Sequence, residues 1–291
     1  MKVLIIGGTK YFGRHLANDL IKNGHDLFIF SRGNQDFDFK PQVTHIVGDR
    51  NNNDELKTTL KHGPFDVIFD QVCMSGKNAQ SACEIFKGAC KRYIMTSTGS
   101  VYDFQNDKEI TEEDFDAKKY PLNIEETNPY NYQEAKRQAE TYFLTHAPFQ
   151  VVCVRFPIVL GNDDYTKRLL FHVEKVKKEE ELYFPNIDVK MGFIGSSEAG
   201  EFLSFVGMKS SFIGSVNAVS TGFISLREMM ALIEQATKLK MIKADTASET
   251  NHSPFGADKD FMMSNSKALS LGFTFKHLNV YLKELIEFFA S

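Results

Sequence analysis

The sequence has little that would place it among disulfide-rich, metal-stapled or membrane-spanning proteins. It has four cysteines in 291 residues, and none of them forms a CxxC pair or a metal-ligand spacing with a nearby histidine. The apolar run that begins MKVLII is too short for a signal peptide or a membrane span and leads directly into glycines. We therefore expect a cytoplasmic protein with reduced thiols, no membrane partner and no metal site. The four thiols are Cys73, Cys83, Cys90 and Cys153.

The chain also lacks an excess of positive charge. Its net charge is -4 and its pI is near 6.1, which argues against nucleic acid as the main partner but leaves a local basic patch open. With 42% hydrophobic and 25% charged residues, the composition is that of a globular protein. A chain of this length can bury roughly 75% of its unfolded surface, so it needs no covalent staple.

Short apolar runs alternate with amphipathic stretches over the first half of the chain, and no internal repeat interrupts them. This alternation predicts βαβ units and therefore an α/β fold with a doubly wound parallel sheet of the Rossmann type. The predicted strands are Lys2–Ile6, Leu27–Phe30, Val43–Val47, Val67–Asp70, Tyr93–Thr96 and Val151–Phe156. The predicted helices are Phe12–Lys22, Asp54–Lys61, Asn78–Lys87 and Asn131–Leu144.

The pattern changes after Gly161 to a charged helix and short mixed segments, which predicts a smaller C-terminal α/β region. We expect residues 1–161, with a returning segment at about 191–219, to form the larger domain. Residues 162–190 and 220–291 are expected to form the smaller region. Within it, Ser225 and Glu228 predict a capping box at the start of a helix, and Val280–Phe289 predicts a final helix. The acidic stretch Asp103–Asp116 is expected to be a solvated loop.

A glycine-rich turn follows the first predicted strand and opens a helix. Its glycines let the backbone turn tightly and approach a pyrophosphate, and the N-terminus of the next helix attracts the negative charge. The turn reads Gly7, Gly8, Thr9, Lys10, Tyr11, Phe12 and Gly13. A further motif is the pair Tyr132 and Lys136, which lie four residues apart and hence on one helix face, where an ammonium group can stabilise a phenolate.

Together these residues resemble the extended short-chain dehydrogenase/reductase family. The segment Thr96-Ser97-Thr98-Gly99-Ser100-Val101-Tyr102 is similar to the family's SS-x-x-VYG signature, and Tyr132 with Lys136 matches its YxxxK pair. The resemblance implies that Tyr132, Lys136 and Thr98 are catalytic, with Ser97 and Ser100 as rival hydroxyls for Thr98. It further implies that the larger domain, residues 1–161 with about 191–219, binds the dinucleotide and that the smaller region, residues 162–190 and 220–291, binds a small-molecule substrate. It also implies a homodimer through the helix Asn131–Leu144 and the long helix that precedes it.

The middle glycine of the family's GxxGxxG turn is replaced by Lys10, as in atypical members that resemble sugar epimerases and chloroplast stem-loop-binding proteins. This lysine could reach a cofactor phosphate or point into water. After the second strand, Ser31 and Arg32 stand where NAD-preferring relatives carry an acidic residue, which favours NADP over NAD. An arginine stacked on adenine, with NAD bound, and a solvated arginine are the alternatives.

The resemblance implies further cofactor contacts, although a local backbone cap is the alternative role for an aspartate in a turn. These contacts are Asp49, Arg50, Val72, Lys136 and Phe156. The roles of Asp70 and Gln71 cannot be derived from the sequence.

Two departures bear on the substrate. Met191-Gly192-Phe193-Ile194-Gly195 lacks the arginine that clamps a diphosphate in sugar-nucleotide enzymes, leaving Lys190 as an imperfect substitute. Gly99 and Ser100 replace the acidic pair of 4,6-dehydratases, which disfavours dehydration.

The sequence thus predicts an NAD(P)-dependent oxidoreductase or epimerase that acts on an alcohol or ketone, which could be sugar-derived. The alternative is a non-catalytic, NAD(P)-sensing or RNA-associated binding protein on the same fold.

Overall fold

A computed structural model describes residues 1–34, 36–124 and 131–291. Its strands are β1 (Lys2–Ile6), β2 (Asp26–Ser31), β3 (Thr44–Val47), β4 (Phe65–Asp70), β5 (Cys90–Thr98), β6 (Glu109–Ile110), β7 (Gln150–Phe156), β8 (Ile158–Leu160), β9 (Glu181–Leu182), β10 (Lys190–Met191), β11 (Phe193–Gly195), β12 (Gly214–Asn217), β13 (Ile224–Ser225), β14 (Ile242–Lys243) and β15 (Met262–Met263). Its α-helices are α1 (Tyr11–Lys22), α2 (Asn53–Lys57), α3 (Gly76–Ile85), α4 (Tyr132–His146), α5 (Arg168–Lys177), α6 (Ser196–Met208), α7 (Leu226–Thr237), α8 (Ser266–Ser270) and α9 (Leu278–Ala290).

Within the described residues, seven parallel strands form the central sheet in the order β12-β7-β5-β4-β1-β2-β3. The strand order reverses between β1 and β4, so that the crevice outside their carboxyl ends is a topological switch point. The predicted α/β fold of the Rossmann type is confirmed.

Both faces of the sheet are covered by helices, as the apolar strands require. Alternate residues of β1 show this directly: Val3 and Ile5 pack with the α1 and α6 side, whereas Leu4 and Ile6 pack with the α3 and α4 side. The chain returns to the sheet after α6, where β12 pairs with β7.

A second hydrophobic cluster surrounds α5, α7 and α9, which pack on one another. Short strand pairs tie it together: β10 with β13, β14 with β9, and β15 with β6. The predicted capping box is present, since the Ser225 hydroxyl accepts from Glu228 N and the Glu228 side chain accepts from Ser225 N. In the described part of the chain, no helix has both the length and the apolar character needed to cross a bilayer.

The prediction that Asp103–Asp116 is a plain solvated loop is wrong. Ile110 and Phe115 are buried in the second cluster, and β6 pairs with β15. The carbonyl oxygens of Glu112 and Phe115 accept hydrogen bonds from the buried Arg155 guanidinium at 3.2 and 3.0 Å. The sequence did not predict the burial of this segment, because its apolar residues occur singly among acidic ones and give no periodic pattern.

The single helix predicted over Asp54–Lys61 is also corrected. The α-helix ends at Lys57, and a 3₁₀ turn continues from Thr58 to His62. The hydroxyls of Thr58 and Thr59 donate to carbonyl oxygens three residues earlier, at 2.6 and 2.7 Å. Side-chain bonds of this kind compete with the regular helical pattern.

Candidate active site

A cleft of about 580 Å³ opens at the carboxyl edge of the sheet, at the switch point between β1 and β4. This volume lies within the range of roughly 300–1,000 Å³ that is usual for ligand sites. The cleft is lined by Gly7, Gly8, Thr9, Lys10, Tyr11, Phe12, Phe30, Ser31, Arg32, Gly33, Asn34, Gly48, Asp49, Arg50, Asn51, Gln71, Val72, Met74 and Tyr165. Most of the cofactor residues expected from the sequence therefore meet along one crevice.

The glycine turn is held so tightly that side chains are excluded from it. Gly8 has a φ of +74°, and a Cβ there would lie 2.5 Å from Ile5 Cγ2. A Cβ on Gly13 would lie 2.5 Å from Gly8 Cα and 2.3 Å from Gln71 Oε1. Gln71 thus has a role that the sequence did not reveal: its side chain packs behind the turn where α1 begins.

Lys10 precedes α1 as its N-cap, and its side chain makes no capping hydrogen bond. Its ammonium lies 5.8 Å from the ring centroid of Tyr165, an exposed residue of the loop after β8. The Tyr165 ring in turn meets Tyr11 edge to face at 5.9 Å. Tyr165 was not expected in the cleft, because it lies outside every motif in the sequence.

Tyr11 links the turn to the neighbouring strand. Its φ is +55°, a conformation that is uncommon for a residue with a side chain. Its hydroxyl donates to the Val159 carbonyl oxygen at 2.5 Å, and the ring is buried. Burial, reinforced by Asp164, raises the pKa of this hydroxyl above its ordinary value, so the phenol stays protonated.

Arg50 reaches the cleft wall, but its guanidinium group is turned into the protein. It donates to Asp70 at 3.1 Å, to Ser81 at 3.1 Å and to the Asn78 carbonyl at 2.7 Å. Tyr93 also donates to Asp70, at 2.6 Å. Burial alone lowers the pKa of Arg50, but the Asp70 carboxylate outweighs it and the pKa is raised. Asp70, whose role the sequence left open, therefore anchors Arg50 below the cleft.

Four further residues that the sequence assigns to cofactor binding also line the cleft: Ser31, Arg32, Asp49 and Val72. The Arg32 side chain is exposed, and the Ser31 hydroxyl lies 2.9 Å from His45 Nε2. One carboxylate oxygen of Asp49 accepts from Asn51 N at 2.8 Å, so this residue caps its own turn while it lines the cleft. Val72 is 37% exposed.

Lys136 is nearly completely buried in α4, where its side chain is 2% exposed. Its ammonium donates to the carbonyl oxygens of Cys73 and Thr96 at 2.7 and 2.9 Å, next to the ends of β4 and β5. The same ammonium lies 5.9 Å from the ring centroid of Tyr132, which is 45% exposed. The fold therefore brings this pair to the carboxyl edge of the sheet. Asn128, Pro129 and Tyr130, which precede the pair in the predicted helix opening, lie outside the described residues.

The three rival hydroxyls behave differently. Ser97 is buried and donates to Glu140, so it faces into the protein. Thr98 accepts from Ser100 N at 3.1 Å and donates to Ser100 Oγ at 3.2 Å, which makes it the cap of the turn after β5. Both Thr98 and Ser100 are partly exposed. Thr98 and Ser100 thus remain as hydroxyls that a substrate could reach.

Glu140 belongs to a second buried network behind this edge. It pairs with Arg155 at 2.7 Å, both side chains being 0% exposed, and accepts from Ser215 at 2.9 Å. Arg155 also donates to Tyr102 Oη at 2.8 Å. The network ties α4, which carries Lys136, to β5, β7 and β12.

Three further positions limit the site. Phe156 is buried and packs on Phe12 at 5.5 Å, beneath the glycine turn. A Cβ on Gly99 would lie 2.4 Å from Phe261, so an acidic side chain has no room there. Met191 is buried in the second cluster, and the neighbouring Lys190 is exposed.

The residues of the cleft fit a nicotinamide dinucleotide. Gln71 Nε2 is a buried donor without a partner among the described residues, beside the turn that would meet a pyrophosphate. The N-terminus of α1 carries no side-chain cap, and Gly13 N and Arg14 N donate to Lys10 O, so the N–H groups of Tyr11 and Phe12 are the ones that can face an anion. The sheet order, the switch-point cleft and the Tyr/Lys pair define a Rossmann-type protein of the short-chain dehydrogenase/reductase class.

The comparison with family models agrees with this class. Residues 3–206 match the NAD dependent epimerase/dehydratase family, and the chain belongs to that family. The family is described as one of NAD-dependent epimerases and dehydratases.

Individual proteins resemble the chain more loosely. A segment of 116 residues, 35% of this chain and 30% of the relative, is 34% identical to the chloroplast stem-loop binding protein of 41 kDa b from Arabidopsis thaliana, so the match spans under a third of that protein. The fold resembles the UDP-glucose 4-epimerase of Thermotoga maritima with UDP-glucose, with a TM-score of 0.76, 15% identity and coverage of 99% and 98% of the two chains. It also resembles the Thermus thermophilus UDP-glucose 4-epimerase complex with NAD, with a TM-score of 0.72, 14% identity and coverage of 100% and 98%.

Proposed function

We propose that the cleft binds NADP(H) in preference to NAD(H), and that the chain oxidises, reduces or epimerises an alcohol or ketone of the sugar type at Tyr132, Lys136 and Thr98. The observation that carries the proposal is the Lys136 ammonium, which Cys73 O and Thr96 O hold at the carboxyl edge of the sheet beside the Tyr132 ring. A buried lysine is rare unless it is bonded in this way.

The nicotinamide dinucleotide, when bound, supplies hydride exchange. The protein's own residues then handle the proton. Tyr132 gives a proton to the substrate oxygen or takes it away. The Thr98 hydroxyl gives up its bond to Ser100 Oγ and donates a hydrogen bond to the same substrate oxygen. Lys136 donates two of its three N–H groups to backbone carbonyls. The third has no partner among the described residues, so it can contact a ribose hydroxyl while the charge favours the phenolate.

Several contacts support each part of this proposal. Arg32 is exposed at the end of β2, where its planar guanidinium can bind a 2′-phosphate, and no carboxylate follows β2 directly. The crowding of Gly99 by Phe261 argues against dehydration, and Met191 offers no cation to a diphosphate. A sugar-derived substrate without a nucleoside diphosphate is therefore favoured over a nucleotide sugar.

The test is a titration of the pure protein with NADPH and NADH, followed by a metabolite screen with the preferred dinucleotide. We expect NADPH to bind more tightly, and Arg32→Ala to weaken NADPH binding about tenfold or more while it leaves NADH binding nearly unchanged. Lys178→Ala, an exposed cation on the other region, serves as control. Tight binding of neither dinucleotide would refute the proposal.

A second candidate function is an RNA-associated role, which the partial similarity to a chloroplast stem-loop binding protein favours. Phosphate contacts weaken steeply as salt rises, so a filter-binding assay with a stem-loop RNA at two salt concentrations distinguishes the candidates. We expect no salt-sensitive RNA binding, because the chain is acidic overall.

A homodimer through α3 and α4, which pack together in one chain, is proposed as the assembly, and light scattering would measure its molar mass.

A further inference from the structure

The end of the cleft at Ser31 and Arg32, where the adenosine of a dinucleotide would lie, contains a hydrogen bond that no cofactor motif predicts. We refer to it as the adenosine end of the cleft. Ser31, the last residue of β2, lines the cleft, and its Oγ lies 2.9 Å from Nε2 of His45. His45 lies in β3, on the neighbouring strand, opposite Ile29. The imidazole therefore lies behind the hydroxyl that would meet the adenosine ribose.

Besides Ser31, the His45 ring has an aromatic neighbour and two charged groups near it. Phe37 meets it edge to face, with the ring centroids 5.2 Å apart. The charged groups that act on it are Lys40, in the 3₁₀ turn before β3, and Asp36, which accepts from Lys40 at 2.8 Å. Asp38, in the same loop, is occupied by Arg14. The ring is only partly buried, so it exchanges protons with solvent.

The direction of the bond between His45 and Ser31 decides what the hydroxyl can offer. A serine hydroxyl has one proton. If Nε2 accepts it, the oxygen can only accept further bonds, which suits the 2′-hydroxyl of NAD(H). If Nε2–H donates, the serine proton is free to be donated to a phosphate oxygen. A protonated imidazole must donate, and it adds a positive charge.

We propose that His45 is a positioning residue that sets the direction of the Ser31 hydroxyl and thereby tunes the preference between a phosphorylated and an unphosphorylated adenosine ribose. This inference rests on dinucleotide binding in the proposed cleft. The preference for NADPH then grows as His45 takes up a proton.

The surroundings of His45 define the pH range of this effect. Burial, and next the Lys40 ammonium, lower the pKa of His45 from 6.5, whereas Asp36 acts in the opposite direction. The free protein therefore carries a neutral His45 above pH 6.5. A bound 2′-phosphate stabilises the imidazolium, so NADPH binding raises this pKa and takes up a proton on the acid side of neutrality.

The experiment measures dissociation constants of NADPH and NADH by calorimetry at pH 8 and pH 6 for the wild type, His45→Gln and Ser31→Ala. Glutamine keeps a hydrogen-bonding group but does not titrate. The 2′-phosphate itself titrates near pH 6, but this contribution is common to all three proteins and cancels in the comparison. His25→Gln is the matched control, because His25 precedes the same strand at its opposite end.

We expect the wild-type preference for NADPH, relative to that of His45→Gln, to rise about three- to tenfold between pH 8 and pH 6. Ser31→Ala should remove the same increment, and His25→Gln should keep it. Equal pH profiles for the wild type and His45→Gln would overturn the role of His45 while dinucleotide binding stands. Absence of binding to either dinucleotide in the wild type would overturn the proposed function and this inference together. Thermal melts of each variant establish that it is folded.

Discussion

The carboxyl edge of the central sheet and the second hydrophobic cluster, the C-terminal cluster around α5, α7 and α9, bury ionisable groups in opposite ways. The sheet edge buries charges as pairs, Arg50 with Asp70 and Arg155 with Glu140. In the C-terminal cluster, His172 is fully buried between Phe184 and Phe255, and its burial lowers its pKa to about 4. The two arginines at the sheet edge thus keep their charge through directional ionic bonds, whereas the apolar cluster keeps its histidine neutral.

The largest effect is expected from Tyr132→Phe at the sheet edge. Loss of the hydroxyl removes the proposed proton donor, so turnover should fall about 10²–10⁴-fold while dinucleotide affinity stays nearly unchanged. Steady-state kinetics and a binding titration measure the two quantities. Tyr142→Phe, on the same helix, is the control and should retain turnover. Unaltered turnover in Tyr132→Phe would show that the sheet edge positions this tyrosine for another purpose.

The second prediction concerns the buried pair behind Lys136. Glu140→Ala leaves Arg155 charged and unpaired, and the free energy of unfolding should fall by about 3–5 kcal/mol. Glu140→Gln keeps hydrogen-bond acceptance and should lose less. Urea denaturation measures the change. Glu174→Ala, which breaks the exposed pair with Lys178, should lose less than about 1 kcal/mol. Similar losses in both alanine variants would remove the distinction between paired buried charges and surface charges.

The third prediction tests the C-terminal cluster. His172 has a pKa of about 4 in the folded protein, against 6.5 for an unperturbed histidine, so the unfolded chain binds its proton first as pH falls. The stabilisation from neutral His172 is complete above pH 6.5 and is lost progressively toward pH 4, amounting to about 3 kcal/mol. Denaturation at several pH values should give a flatter profile for His172→Gln. His146→Gln, whose imidazole is exposed, should keep the wild-type slope. A wild-type slope in His172→Gln would contradict the assignment.

The smallest effect is expected at Tyr165, in the loop that joins the sheet to α5. Tyr165→Ala removes the aromatic partner of Lys10 and should weaken NADPH and NADH binding to a similar extent, about three- to tenfold. Fluorescence titration with NADPH and NADH measures the two dissociation constants. Tyr165→Phe keeps the ring and should bind like the wild type. A loss confined to NADPH would move Tyr165 to the adenosine end of the cleft.

Much of the fold followed from local patterns. The strands β1 and β7 and the helix α1 lie within one residue of the predicted bounds, because their apolar runs and glycine boundaries are contiguous in the chain. The capping box at α7 was equally local. The prediction for Asp103–Asp116 was wrong because the burial of this segment depends on Arg155 and β15, which lie far away in the chain.

The candidate site likewise contains residues that local spacing marks and residues that it does not mark. The positions of Gly7 to Gly13, Tyr132 and Lys136 are marked by spacing, and the cleft lining includes nearly the whole glycine turn. The partners that hold them were not visible: Asp70 and Gln71 lie at the end of β4 without any motif that assigns them a role. Tyr165 contacts Lys10, which is distant in sequence, and His45 contacts Ser31 on the neighbouring strand, so no local motif marks either residue.

The sequence by itself determined the alternation of strands and helices, the tight turn after β1 and the tyrosine and lysine on one helix face, since each depends on residues within a few positions of one another. Only the tertiary structure decided which buried charges meet. Arg50 donates to Asp70, 20 residues further along the chain, and Arg155 in β7 donates to Glu140 in α4. The physical reason is that burial makes an unpaired charge unfavourable, but any of several oppositely charged residues could satisfy it until the chain has folded.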